Sequence, residues 1–234
     1  MSQTNLRESP ATQPATRSAP ARPAPSTILR TSGVVAVLRA RHAKDYAPVI
    51  DGLREGGVLS AELTLSTPGV WDELPRLLDR FGDEMEIGVG TVTTAAEAGT
   101  ALDLGASYIV TPIMVPEIVE LCAERAVPVF PGGLTPTELH AGWAAGATAV
   151  KVFPASTVGP GYIHQLRGPF PELQVVPSGG VDIDDVPAWI RAGALAVSLG
   201  GPLLGDAFKG GDLRDLTARA HRVRSLVDEA RGER

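Results

Sequence analysis

Cysteine is almost missing from this chain. The single Cys122 excludes an internal disulfide and any cysteine-built zinc site, and it fits a reducing compartment such as the cytoplasm. It follows Ile118 and Leu121 at helical spacing, so it reads as a packed thiol rather than a nucleophile. Long apolar runs are missing too. No stretch reaches the ~20 residues of a membrane-spanning helix. Positive charge is in deficit: 21 Lys and Arg stand against 27 Asp and Glu, a net charge of −6. With no dense basic cluster, neither nucleic acid nor membrane is expected as a partner. His42, His140, His164 and His221 are scattered without metal-ligand spacing, so no metal or other cofactor is expected. No glycine-rich dinucleotide fingerprint follows the first β-rich run, which argues against an open nucleotide-binding sheet. A small-molecule substrate remains as the expected partner.

What is present divides in two. Residues 1–27 are rich in Pro, Ala, Ser, Thr and Gln and carry almost no large apolar side chain. Such a segment cannot bury enough surface to offset its ordering entropy, so it reads as a disordered tail. It shows no secretory apolar region, and its prolines oppose an amphipathic targeting helix. Residues 28–234 read as one domain; the 44% hydrophobic content of the chain supports a sizeable core.

Within that domain, short β-rich runs alternate with helical patterns. The runs are 34–39, 60–65, 86–90, 108–110, 127–130, 147–153, 174–176 and 194–199. Helical patterns cover 43–55, 73–81, 95–104, 117–126, 136–146 and 213–229, and a further helix follows Asp182–Asp185 and runs through Ala192. Gly56-Gly57, Gly82 and Gly105 mark helix ends, and Thr135-Pro136-Thr137-Glu138 looks like a capped helix start. Strands alternating with helices imply a parallel sheet, and eight such units predict a (β/α)₈ TIM barrel.

In a barrel, the active site lies at the C-terminal strand ends. Polar residues there merit attention: Arg39, Thr91, Thr111-Pro112, Ser178-Gly179-Gly180 and Gly200-Gly201. In the second run Ser60, Glu62, Thr64 and Ser66 alternate with apolar residues. The outward face of a barrel strand packs on helices, so these four are expected to point inward. A carboxylate inside a barrel needs a partner or a task.

Lys151 carries the most information. It interrupts the apolar run Ala-Thr-Ala-Val-Lys151-Val-Phe-Pro. Extended geometry sends Val150 and Val152 one way and Ala149, Lys151 and Phe153 the other. An ammonium among apolar groups is costly, and a neutral amine is a nucleophile that forms a Schiff base with a carbonyl. The bland alternative is an edge-strand lysine with its head in water. Glu62 as a proton shuttle beside it suggests carbon–carbon chemistry on a 2-oxo acid; the alternative is a bare ion pair. The Gly-Gly pairs after the seventh and eighth runs suit a phosphate held by backbone N–H groups. Arg39 could hold an anion or close the mouth against Glu62.

These motifs resemble the 2-dehydro-3-deoxy-6-phosphogluconate / 4-hydroxy-2-oxoglutarate aldolase family. The stretches that carry the resemblance are Val34-Val-Ala-Val-Leu-Arg39, Glu62-Leu-Thr-Leu-Ser-Thr-Pro68, Gly88-Val-Gly-Thr91, Ile109-Val-Thr-Pro112, Pro131-Gly-Gly-Leu-Thr-Pro136-Thr-Glu138, Lys151-Val-Phe-Pro154 and Pro177-Ser-Gly-Gly-Val181. The resemblance implies Lys151 as Schiff-base lysine and Glu62 as general acid/base. It implies Arg39 and Thr91 at the pyruvate carboxylate. Pro112 and Phe153 would line the pocket, and Gly179 and Gly180 would hold phosphate. The residue pattern itself adds Thr64 and Ser66 to the expected pocket, and Ser178, Gly200 and Gly201 to the expected phosphate site. The resemblance also implies a metal-free homotrimer. The expected reaction is retro-aldol cleavage of 2-dehydro-3-deoxy-6-phosphogluconate, or its 6-phosphogalactonate epimer, to pyruvate and glyceraldehyde 3-phosphate. Alternatives are 4-hydroxy-2-oxoglutarate as substrate, a non-covalent phosphate-binding isomerase, and a sugar-acid sensor. Two departures from the family pattern stand out. Ser66 occupies a position that is arginine in some members, and Gly201-Pro202 replaces a frequent Gly-Ser.

Overall fold

Val34, Ala36 and Leu38 alternate with Val35 and Val37, and that alternation gives the first strand two apolar faces. A strand buried on both faces belongs in a parallel sheet covered by helices. The structure, a computed structural model, describes residues 21–232. Its elements run α1 (Thr27–Ser32), β1 (Val34–Leu38), α2 (Tyr46–Glu55), β2 (Ser60–Thr64), α3 (Val70–Phe81), β3 (Glu86–Gly90), α4 (Ala95–Asp103), β4 (Ile109–Val110) and α5 (Pro116–Glu124). They continue β5 (Val129–Phe130), β6 (Gly132–Gly133), α6 (Pro136–Ala144), β7 (Val150–Val152), α7 (Gly161–Arg167), β8 (Val175–Pro177), α8 (Val186–Arg191), β9 (Val197–Leu199), α9 (Gly201–Leu204) and α10 (Leu213–Gly232).

The strands form a curled parallel arrangement in two ladders, β5-β4-β3-β2-β1-β9 and β6-β7-β8. One residue, Pro131, separates β5 from β6. Proline has no N–H to donate, so the ladder breaks there. Its carbonyl still accepts from Lys151 N–H at 2.8 Å. On the other side, a lone parallel bridge joins Ser178 to Ser198.

The two strand faces bury different things. Val34, Ala36, Leu38, Ala61, Leu63, Val150 and Val152 pack with helix residues such as Ile50, Leu53 and Leu74. Val35, Tyr108, Val110, Phe130, Ala149, Val176 and Ala196 form a second cluster on the opposite face. Leu29 of α1 joins that inner cluster and covers it from below. Fully burying such a side chain stabilises by roughly 1.5–3 kcal/mol. The expected facing of 149–153 follows from this split: Ala149 lies inside, Val150 and Val152 outside.

Capping fixes where helices leave the sheet. Thr94 with Glu97 and Thr135 with Glu138 form reciprocal capping boxes that launch α4 and α6. Some expectations shift. α3 starts at Val70 behind Gly69, a glycine with φ of 85°, rather than at 73. The helix expected after Asp182–Asp185 is α8, which starts at Val186 behind a 3₁₀ turn at Ile183–Asp185. The helices α1, α7 and α9 were not anticipated; all three are short.

Part of the expected tail, residues 1–20, lies outside the described residues. The remainder of 1–27 differs from expectation, because it packs on the body. Pro23 is buried. The Arg22 guanidinium sits 3.4 Å from the centre of the Trp143 ring and donates to the Trp143 carbonyl at 3.0 Å. Ser26 caps α1 by accepting from Leu29 N–H at 2.9 Å. Prolines lose little backbone freedom on ordering, which lowers the cost of this attachment.

Candidate active site

β2 places three polar side chains on the inner face. At the lower end, Ser60 Oγ lies 3.1 Å from the Tyr108 hydroxyl. Above it stands Glu62, only 1% exposed. Thr64, at the strand end, donates to the Leu38 carbonyl at 2.9 Å. The neighbouring β3 leaves room for them. Its inner positions are Gly88 and Gly90, paired with Glu62 and Thr64 in register. A Cβ on Gly88 would fall 2.3 Å from the Tyr108 ring, and one on Gly90 would fall 1.9 Å from Glu62 Oε1. Those spaces are already filled, so a larger residue must displace the Tyr108 ring or the Glu62 carboxylate.

Lys151 reaches the same layer from β7. It is 7% exposed, and its Nζ lies 4.0 Å from Glu62 Oε1. The Nζ also lies 5.3 Å from the centre of the Phe153 ring. Glu62 Oε2 is buried with no hydrogen-bond partner among the described residues. Neither the edge-strand alternative for Lys151 nor an Arg39–Glu62 pair describes this geometry. Arg39 is exposed just past the end of β1, and the residue beside Glu62 is Lys151.

Both groups open onto a cavity of about 470 Å³ at the C-terminal strand ends. Arg39, Thr64, Thr91, Pro112 and Phe153 line it, as do Ser178, Gly179, Gly180, Gly200 and Gly201. Thr91 reaches it through a left-handed turn, φ 61°, directly after Gly90. That conformation costs a non-glycine residue about 1–2 kcal/mol. Gly179 and Gly180 have φ of 81° and 71°. A Cβ at Gly179 would meet the Phe153 ring at 2.8 Å, so glycine is needed for space as well as conformation. Ser178 Oγ donates to Ser198 Oγ at 3.4 Å. Nothing lies within 4 Å of where a Gly201 Cβ would be, so that wall is open.

Ser66 corrects the expectation of four inward residues on β2 and of a pocket role. The strand ends at Thr64, and the turn that follows breaks the alternation. Ser66 is exposed, lies off the cavity wall, and donates to Thr64 Oγ1 at 3.2 Å. The histidines take other work: His42 caps a 3₁₀ turn, and His140 stacks on Phe170 at 4.4 Å.

Several wall residues were not anticipated. Val37 and Ser198 follow from inner-face alternation on β1 and β9 and could have been found that way. Phe208 and Lys209 also line the cavity, from a 3₁₀ turn beyond α9. No pattern in the sequence marks them.

Two further carboxyl and phenol groups sit beneath the site. Burial pushes the Glu86 carboxyl above its ordinary range, opposed by the Ser26 and Ser60 hydroxyls. Burial, then the charges of Glu86 and Glu62, hold Tyr108 well above the usual phenol value. Chemically, the centre is an amine and a carboxylate 4.0 Å apart, a gap that one water can bridge for proton transfer. They face a cleft whose far wall is largely backbone.

The chain was compared with known proteins. The family model described as KDPG and KHG aldolase matches residues 26–218. The 2-dehydro-3-deoxy-6-phosphogalactonate aldolase of Escherichia coli K12 is 30% identical, over 80% of this chain and 89% of its own. The 2-dehydro-3-deoxy-phosphogluconate aldolase of Haemophilus influenzae is 35% identical, over 68% of this chain and 74% of its own. Among solved structures, a KDPG aldolase from Legionella pneumophila with pyruvate captured as a covalent carbinolamine superposes with a TM-score of 0.77. It is 26% identical, and the match covers 84% of this chain and 96% of that one.

Proposed function

The chain belongs to the KDPG and KHG aldolase family and is an aldolase; we propose that it cleaves a 2-keto-3-deoxy-6-phospho sugar acid through a Schiff base on Lys151. The products are pyruvate and glyceraldehyde 3-phosphate, and the substrate is the phosphogluconate or phosphogalactonate epimer. One observation carries this reading: the buried Lys151 amine 4.0 Å from the buried Glu62 carboxylate, both facing the cavity.

The steps follow from that pair. Lys151 passes an ammonium proton to Glu62 through a water, and the freed amine attacks the C2 ketone to give a carbinolamine; Glu62 returns the proton to the departing hydroxyl, which leaves as water and yields an iminium. The C4 hydroxyl proton passes to Glu62, directly or through a water. The C3–C4 bond then breaks, its electrons move into the iminium to form an enamine, and C4 leaves as the aldehyde. Glu62 returns the proton to C3. Water hydrolyses the resulting iminium, releasing pyruvate and returning Lys151 as the ammonium. Arg39 and Thr91 orient the substrate carboxylate, with Pro112 and Phe153 as pocket walls. Ser178 and the N–H groups of Gly179, Gly180, Gly200 and Gly201 take the phosphate.

Borohydride trapping tests this. Incubated with pyruvate and reductant, the protein should gain one reduced pyruvyl group on the peptide containing Lys151. Absence of that mass from Lys151 overturns the mechanism. Rates on a panel of phosphorylated and plain keto-deoxy acids then assign the substrate.

The two ladders read best as one eight-stranded barrel. The one-residue interruption at Pro131 and the Ser178–Ser198 bridge support that closure. Residues 28–234 form the catalytic domain in this reading, with the segment before it as an appendage. A homotrimer located in the cytoplasm completes the proposal. Exposed Ile113, at the mouth beside Pro112, supplies apolar surface for a subunit contact.

A further inference from the structure

We propose that Lys209 is a substrate-recognition residue whose ammonium binds the substrate's distal anionic group and so sets the preference for phosphorylated over plain sugar acids. This rests on the retro-aldol reading above and extends it to a side chain outside the strand ends.

Among the described residues, the charges lining the cavity are few: Arg39, Glu62, Lys151 and Lys209. Glu62 and Lys151 face each other. That leaves two cations for a substrate with an anion at each end. The carboxylate adjoins the ketone, so it must lie close to Lys151, where Arg39 and Thr91 are assigned to it. The remaining cation is Lys209. It belongs to the same segment as Gly200 and Gly201, the loop assigned to the distal phosphate.

That loop is poor in donors of its own. Gly201 carries no side chain, and Pro202 lacks an N–H. Of residues 201 and 202 only the Gly201 N–H can donate to a phosphate there, and a nearby ammonium adds charge. Lys209 is exposed, and among the described residues its side chain forms no hydrogen bond or ion pair. An amine already bound to a carboxylate would have to surrender that partner; this one does not.

The turn that carries it is built to stay at the mouth. Residues 207–209 form a 3₁₀ turn bracketed by Gly205 and Gly210, with φ of 57° and 86°. The Lys209 N–H donates to the Asp206 carbonyl at 2.7 Å. Next to it, the Phe208 ring meets Tyr46 edge-on at 5.8 Å between centroids. Tyr46 is fully buried and donates to the Leu38 carbonyl at 3.2 Å. Phe208 therefore ties the turn to the end of β1 and keeps the Lys209 backbone at the cavity rim.

Steady-state kinetics on Lys209→Gln and Lys209→Arg test this, using a 6-phospho sugar acid and its unphosphorylated counterpart, whose far end is a neutral hydroxyl. A charge-assisted hydrogen bond is worth about 1.5–3 kcal/mol, a factor of roughly 10–150. Lys209→Gln should raise KM for the phosphorylated substrate by at least about tenfold, with kcat and the KM for the plain acid nearly unchanged. Lys209→Arg should restore most of the loss. Inorganic phosphate should compete with the phosphorylated substrate more weakly in Lys209→Gln than in the wild type. Equal KM changes for both substrates, or none for either, overturn the assignment. Pyruvate trapping is run in parallel. An adduct on Lys151 with an unmoved KM ratio excludes Lys209 alone, whereas a wild type without the adduct overturns the reaction reading and this assignment with it.

Discussion

Glu62 and Lys151 are an expensive pair to bury. Each charge removed from water costs several kcal/mol, and mutual attraction repays this only with good geometry and satisfied lone pairs. Here the separation is 4.0 Å and one Glu62 oxygen has no partner among the described residues. The arrangement is poor as a stabilising device and well suited to chemistry. Gly90 is the residue that permits it. Gly90→Ala should push the carboxylate aside, since the new Cβ would sit 1.9 Å from Oε1. A misplacement of about 1 Å can cost 10²-fold. We expect kcat to fall by about that factor while circular dichroism keeps its native form and KM moves little. Unchanged kcat in a folded variant would show that Glu62 placement is immaterial. The lysine and the glutamate were visible in the sequence because a charge in an alternating apolar run breaks a pattern. Ser66 was misread for the same reason: alternation was carried past Thr64, where the strand ends.

At the scale of elements, β3 shows how a strand serves a site it hardly touches. Its inner face reads Glu86, Gly88, Gly90, with one carboxyl at the base and bare backbone above. The folded-state value of Glu86 is raised by burial, so the native state holds this proton more tightly than the unfolded chain. That contribution to stability is complete below the ordinary carboxylate value and is lost as pH rises through the raised one. Glu86→Gln mimics the protonated form. In urea titrations it should match the wild type in acid and exceed it at neutral pH, and the gap should open as pH climbs above the ordinary carboxylate range. A constant gap would assign its effect to packing alone. Elements with strong local signals were predictable. α4 and α6 begin at capping boxes written in the sequence, and the strand runs showed their β-branched residues. Short elements were not. α9 is four residues opened by Gly201-Pro202, which reads as a turn. Ladder lengths were also overestimated: 147–153 narrows to Val150–Val152, because whether a residue pairs depends on a neighbouring strand.

The whole molecule guards its one thiol. Cys122 lies on the buried face of α5, and burial pushes its pKa up to about 12. A disulfide reagent at pH 8 should leave the native protein unlabelled and react fully in denaturant. Saturating substrate analogue should slow residual labelling, by about 100-fold at 100 times Kd, if exposure requires global opening. Labelling that ignores ligand would instead locate the opening in α5 alone. The alternation of apolar residues, the glycine stops and caps, and the lone lysine in a buried run are local properties, and they follow from the sequence itself. Period and propensity act over a few residues, so any folded form of this chain must respect them. Which groups meet across the cavity is a different matter. That Gly90 makes space for Glu62, that Arg22 lies on Trp143, and that the turn bearing Phe208 and Lys209 covers the mouth all depend on curling the sheet until distant segments touch. Those contacts are set by shape and volume in three dimensions, and no repeat along the chain encodes them.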